Sequence, residues 1–271
     1  MQKVLVFTDP HIVPEGETII GLDPCARLAQ GLQHAIAHHA DAVAVIVTGD
    51  LTHHGTGEEY ARLKKILSAC PIPLTLTLGN HDRRAAFCAT FPETPTSDGF
   101  VQSAVDLDDT RLIVLDTLDE DTSDLHSGRL CDRRLGWLES ALKGAGGRRV
   151  ILFLHHPPAG TGFPNMDAIA LRDPERLARV LALYPNVVHI IAGHVHRTCQ
   201  STLMLDGGRQ VPVAIFKSTC HQMPMDLTAE NTHLSVDEPG AYGLLLLRND
   251  GVVVHTEDFT LSSQIAESYG E

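Results

Sequence analysis

The chain has 271 residues, 43% hydrophobic and 20% charged, with a formal net charge of −13; such a length suits one α/β or two-sheet unit, and the balance is that of an ordinary soluble globular protein. The acidic charge argues against long nucleic-acid polymers as partners, because binding them needs Lys/Arg stripes that neutralise phosphates, although a small anion could bind where metal ions supply positive charge locally. No run approaches the roughly 20 apolar residues of a membrane span, so no membrane partner is expected.

In chain order, "KVLVFT" 3–8 reads as a buried strand that runs into "DPH", Asp9 and His11. An acid at position 9 leaves no room for the apolar core of a secretory leader. The six cysteines (Cys25, Cys70, Cys88, Cys131, Cys199, Cys220) form no CxxC pair and read as reduced thiols, so a cytoplasmic location is expected. "DPCARLAQGLQHAIAHH" 23–39 is a helix pattern with an Asp cap and Leu28, Leu32, Ala35 and Ile36 on one face. Strand "AVAVIVTG" 42–49 leads into "GDLTHHG", with Asp50 and His53; a helix pattern follows over 57–70. Strand "PLTLTLG" 73–79 stops at "GNHD", which carries Asn80, His81 and Asp82.

"TRLIVLD" 110–116 is another strand, "CDRRLGWLESALKGA" 131–145 a helix ending at Gly146-Gly147, and "RVILFLH" 149–155 a strand entering "HHPP" with His155 and His156. A helix over 173–185 and the strand "VVHIIAG" 187–193 lead to "GHVH", His194 and His196. Strands alternating with helices predict an α/β arrangement. Beyond residue 197 two hairpins are expected, 201–218 turning at Asp206-Gly207-Gly208 and 242–259 turning at Asn249-Asp250-Gly251, and they suggest a second, mixed or antiparallel sheet. Between them, 217–241 reads as a long loop of the length that is functional or disordered. The tail 261–271 is polar. With no internal repeat and no linker, 1–260 is expected to form one domain.

Each strand-end motif alone reads as a turn, a helix cap or a pair of surface residues. Their recurrence at five strand ends is the informative feature, since the carboxyl ends of strands are where ligands gather in an α/β sheet. Asp, His and Asn offer oxygen and nitrogen donors suited to Mn, Fe or Zn, with no cysteine needed. Glycine before Asp50, Asn80 and His194 suits a backbone that turns sharply near an ion.

The ordered set "DPH", "GD", "GNHD", "HHPP", "GHVH" resembles the calcineurin-like metallophosphoesterase superfamily over roughly residues 1–200. The spacing, the double His-Pro-Pro and the later "CHQMP" are most similar to its class III cyclic-nucleotide phosphodiesterases and glycerophosphodiesterases. The resemblance implies a four-layer αββα sandwich of two mixed sheets flanked by helices. It implies two divalent metal ions, the first held by Asp9, His11, Asp50 and His196, the second by Asp50, Asn80, His155 and His194, with Asp50 bridging. His156, the second of the pair, is then expected to pack or to hydrogen-bond behind the ligands. A hydroxide held between the ions would attack a small phosphodiester in line. His81 would stabilise developing charge or protonate the leaving alkoxide, and Asp82 would orient His81 or cap the next helix. His221 in "CHQMP" matches a substrate-side histidine, while His53 stands where relatives carry a phosphate-contacting Asn.

The protein phosphatases of the superfamily carry "GDxxDRG" and "GNHE", whereas this chain reads "GDLTHHG" and "GNHD". The missing arginine favours small diesters over phosphoprotein. Rival readings are a phosphomonoesterase or a nuclease on the same site, and a non-catalytic binding scaffold, which predicts lost ligand positions. Relatives suggest a homo-oligomer, with 217–271 as the contact surface.

Overall fold

The computed structural model describes residues 1–121, 126–228 and 234–260; the tail 261–271 and part of the 217–241 loop lie outside them. The chain runs β1 (Gln2–Phe7), α1 (Pro24–His38), β2 (Ala44–Thr48), α2 (Gly57–Leu67), β3 (Leu74–Thr77), α3 (Arg84–Thr90), β4 (Ser103–Asp106), β5 (Thr110–Val114), α4 (Asp132–Gly144), β6 (Arg149–Phe153), α5 (Pro164–Asp167), α6 (Pro174–Ala182), β7 (Val187–Ala192), β8 (Cys199–Met204), β9 (Gln210–Ile215), β10 (Ala241–Arg248) and β11 (Gly251–Asp258). One sheet has the order β11-β10-β1-β2-β3 and the other β4-β5-β6-β7-β9-β8. The strands β1, β2 and β3 are parallel, as are β5, β6, β7 and β9, and antiparallel strands complete both sheets.

Strand periodicity explains the layering. Successive side chains of a strand point to opposite faces, and here both faces are apolar. Val4, Val6, Ala44 and Ile46 meet Leu112, Val114, Ile151 and Phe153 in a core between the sheets. Their neighbours Leu5, Phe7, Val45 and Val47 face outward onto Leu28 and Leu32 of α1 and Tyr60 and Leu63 of α2. On the far side, Ile113, Val150 and Leu152 pack against Leu138 and Leu142 of α4 and Leu177 and Leu181 of α6. Three cores separate four layers, the αββα sandwich that the resemblance implied.

Local signals set the helix starts. The Asp23 side chain accepts from the backbone N–H of Cys25 and Ala26 at the head of α1, and Thr56 with Glu59 forms a capping box at α2. The second, mixed sheet that the late hairpins suggest is present: β8-β9 completes it beside β7, while β10-β11 joins the first sheet beside β1. The loop from 217 is not superficial at its start, since Ser218 through Gln222 are buried and Thr219 N–H donates to the Thr8 carbonyl. The sequence reading also passed over β4, α3 and α5. In β4 half-buried and exposed residues alternate, and α3 has no side-chain cap.

Candidate metal centre and active site

The carboxyl ends of β1, β2 and β3 in one sheet meet those of β6 and β7 in the other. The segment after β1 runs alongside the one after β2, with Asp9 N–H donating to the Gly49 carbonyl and His11 N–H to that of Asp50. His194 N–H donates to the Asp9 carboxylate at 3.1 Å, which ties the end of β7 to the end of β1. Five of the chemistry-bearing residues take the left-handed backbone conformation: Asp9 (φ 50°), His11 (47°), Asp50 (46°), His194 (73°) and His196 (52°). Non-glycine residues pay for that conformation, so the turns that aim these side chains inward are held against a local cost.

Glycine serves two purposes here. Gly49 has φ 95°, the sharp turn expected of it. At Gly79 and Gly193 the need is room: a Cβ on Gly79 would overlap the Asp50 carboxylate, and one on Gly193 would overlap the Thr8 hydroxyl and the Asp9 carboxylate.

Two donor sets result. In the first, Asp9, His11, Asp50 and His196 place ligand atoms within 4.8 Å of one another; the Nε2 atoms of His11 and His196 are 3.0 Å apart. In the second, Asn80 Oδ1 lies 3.2 Å from His155 Nε2 and 3.0 Å from His194 Nδ1, and the two imidazole nitrogens are 3.2 Å apart. Asp50 stands between the sets, its Oδ2 being 3.6 Å from His11 Nε2 and 3.3 Å from His155 Nε2. Backbone carbonyls fix the rings: His155 Nδ1–H donates to Thr48 at 2.9 Å and His196 Nδ1–H to His221 at 3.0 Å. Each then turns its Nε2 inward, the usual arrangement behind a metal-binding histidine. Nitrogens this close need a proton or a metal ion between them, and a buried set of imidazole, carboxylate and amide donors fits divalent metal ions.

The electrostatics follow from crowding in a buried place. Burial alone would raise the pKa of Asp50, but the charges of His155 and His81 outweigh it and hold the carboxyl well below its ordinary value. Burial works against a charged His155 too, and the Asp50 charge reverses that, bringing it up to about 9. Burial and the His155 charge push His194 down to about 3. His53 falls to about 4, from burial and the charge of His81, and His221 to about 3, from burial and His196.

The remaining predicted residues also gather here. His81 donates from Nδ1 to the His53 carbonyl at 2.8 Å and its N–H to Asp50 Oδ1 at 2.9 Å, so its Nε2 is left for a cavity of about 340 Å³ that it lines with His53, His221 and Asp50. The His53 ring stacks on His81 with centroids 5.1 Å apart. His221 is buried with its ring 4.5 Å from that of His196. His156 is buried behind the centre, 2.8 Å from the Thr117 hydroxyl and 3.1 Å from the His126 carbonyl.

Asp82 departs from expectation. Its carboxylate neither caps α3, whose N-cap is Arg83, nor touches the His81 ring. It accepts from the N–H of Leu51, Thr52 and Gly79 and from the hydroxyls of Thr52 and Tyr60. It therefore clamps the Asp50 turn to the Gly79 turn, and burial with the Asp50 charge raises its pKa to about 6. The sequence gives no signal for this clamp, because most of its donors are backbone. Nor does it single out the apolar wall of the cavity, which includes Ile20, Met166, Ile169 and Leu234.

Comparison with known proteins agrees with this architecture. A "Probable cyclic nucleotide phosphodiesterase" of Rhodopseudomonas palustris is 37% identical over 259 residues, covering 95% of this chain and 92% of the relative. A "Probable glycerophosphodiester phosphodiesterase" of Arcobacter nitrofigilis is 32% identical, covering 93% and 92%. These names match the subfamily to which the motifs pointed. Among solved structures, a dimetal phosphatase from Danio rerio superposes with a TM-score of 0.68 at 16% identity, covering 95% of this chain and 96% of that one, and shares the fold. Residues 2–198 match the family model for calcineurin-like phosphoesterases, and the chain belongs to that family of hydrolases.

Proposed function

We propose that the protein is a dinuclear metal-dependent phosphodiesterase acting on small phosphodiesters such as cyclic nucleotides or glycerophosphodiesters. The observation that carries this reading is the position of Asp50, one carboxylate between two histidine-rich donor sets at the floor of a cavity. Asp9, His11, Asp50 and His196 would hold one ion and Asp50, Asn80, His155 and His194 the other. Bound there, Mn, Fe or Zn would supply the Lewis acidity that makes water nucleophilic near neutral pH and would clamp the phosphate oxygens.

The rest is the work of this chain's own groups. Asn80 contributes a neutral ligand, which limits the negative charge facing an anionic substrate. His81, fixed through Nδ1, directs Nε2 at the cavity to hold a proton for the departing alkoxide or to bind developing charge. His221 and His53, kept neutral by burial and neighbouring histidines, contact the bound diester as hydrogen-bonding groups. The described lining of the cavity contains no lysine or arginine, which favours a singly charged diester over a monoester dianion.

All six cysteines are unpaired, which supports a reducing, cytoplasmic setting. Among the described residues, no helix is long and apolar enough to cross a membrane. Exposed Met225 and Leu227 in the 217–241 loop support contact with a second copy of the chain.

The test is a panel of cyclic nucleotides, glycerophosphodiesters, aryl diesters and aryl monoesters with Mn added. Diesters should give the higher kcat/KM; a higher value for the monoesters would overturn the reading.

A further inference from the structure

The segment "IIGL" 19–22 closes a tight hairpin in which the N–H groups of Ile19 and Leu22 each donate to the other's carbonyl, at 3.0 and 2.8 Å. Both central residues have positive φ, 46° at Ile20 and 83° at Gly21, the signature of a type I′ turn. Asn-Gly is the pairing such a turn favours. A β-branched residue at positive φ is a genuine outlier, and Ile20 is in addition 50% exposed. It is therefore unfavourable twice over, in its backbone and in the apolar surface it shows to water.

Stability does not account for an isoleucine there, but its location does. Ile20 lines the cavity above the candidate metal centre. Around the same cavity stand Met166, Ile169, Met223 and Leu234, with Leu234 44% exposed. The single carboxylate among the described lining residues is Asp50, and no lysine or arginine joins it. The one carboxylate of that lining thus belongs to the candidate metal centre, while Ile20, Met166, Ile169, Met223 and Leu234 give the same cavity apolar surface.

We propose that the Ile19–Leu22 hairpin holds Ile20 as a specificity-determining contact for an uncharged, apolar substituent of the diester, such as a nucleobase or an aryl ring. The inference rests on the diesterase reading and deepens it. The phosphate's single charge goes to the metal centre. The substituent packs against Ile20, Met166 and Ile169, which line the same cavity, where a charged headgroup would find no counter-ion. The strain at Ile20 persists because the contact it makes is with the substrate, the pattern by which backbone outliers collect at ligand clamps.

The experiment compares wild type, Ile20→Asn and Ile20→Ala, loaded with Mn, on 3′,5′-cyclic AMP, bis(4-nitrophenyl) phosphate and glycerophosphoethanolamine, with thermal unfolding alongside. Asn suits the turn, so Ile20→Asn should raise Tm by about 2–4 °C while kcat/KM for the first two substrates falls about tenfold through KM, the usual worth of one apolar contact. The loss on glycerophosphoethanolamine should be at least fivefold smaller. Ile20→Ala should show the same selectivity without the gain in Tm. Equal losses on all three substrates, or a raised Tm with unchanged selectivity, would overturn the inference while leaving the diesterase reading in place. Failure of the metal-loaded wild type to hydrolyse any of the three would instead overturn the diesterase reading, and this inference with it.

Discussion

Replacing Gly79 by alanine adds one methyl group at the most crowded point of the candidate centre. The new Cβ would overlap Asp50 Oδ1 and lie 2.8 Å from Asp50 Cγ, where ordinary contact begins at 3.4 Å. To reach ordinary contact the carboxyl carbon must retreat by about 0.6 Å, and the overlapping oxygen by more. It has little freedom to do so, because Oδ1 accepts from His81 N–H at 2.9 Å and Asp50 already sits at φ 46°. Overpacking of this kind costs about 1–3 kcal/mol, or about 2–4 °C in Tm per kcal/mol in a chain of this size class. Misplacing a reacting group by about 1 Å costs roughly 10²-fold in rate. Gly79→Ala should therefore lose about two orders of magnitude in kcat/KM for a nitrophenyl diester and bind fewer than two metal equivalents. The matched control is Gly136→Ala, on the exposed face of α4 with nothing within 4 Å of its Cβ position. It should gain about 0.5–1 kcal/mol in stability with rate and metal content unchanged. A Gly79→Ala protein with two metals and wild-type rates would refute the placement of Asp50 against that backbone.

His81→Ala should cripple diesters with alkoxide leaving groups by about 10²–10⁴ while sparing nitrophenyl diesters; equal losses on both would strip His81 of the proton-donor role and leave it holding phosphate oxygens. His221→Ala should raise KM more than it lowers kcat, and an unchanged KM for every diester would remove His221 from the substrate contacts. Thr56→Ala breaks the capping box of α2 and should cost about 1 kcal/mol. Denaturant unfolding measures that loss, and no change in midpoint would show that the cap contributes nothing.

The centre was legible in the sequence because its donors are side chains placed at the ends of apolar runs. "DPH", "GD", "GNHD", "HHPP" and "GHVH" each mark where a strand gives way to a turn, and the structure brings all five together. What was not legible depends on partners distant in sequence. Nothing in "STLMLDGGRQVPVAIF" says that its second strand will slot beside β7, since that choice is made by the Ile190, Ile191 and Ala192 backbone it pairs with. Asp82 reads as a helix cap because "HDRR" precedes helix-forming residues, yet its carboxylate is drawn instead to N–H groups from the Asp50 loop. The glycines before Asn80 and His194 looked like turn residues and are needed for space, a distinction that appears only once Asp50 and Asp9 are packed against them. The Ile20 conformation runs against turn preference, and sequence reasoning fails most readily where local preference has been overridden.

The claim at the centre of this account is that Asp50 bridges two metal ions. Metal equivalents per chain, measured after loading with Mn and removal of unbound ion, test it most directly. The account predicts two for the wild type and none for Asp50→Ala, because one carboxylate serves both donor sets. A single equivalent in the wild type, or two retained with full activity in Asp50→Ala, would contradict it.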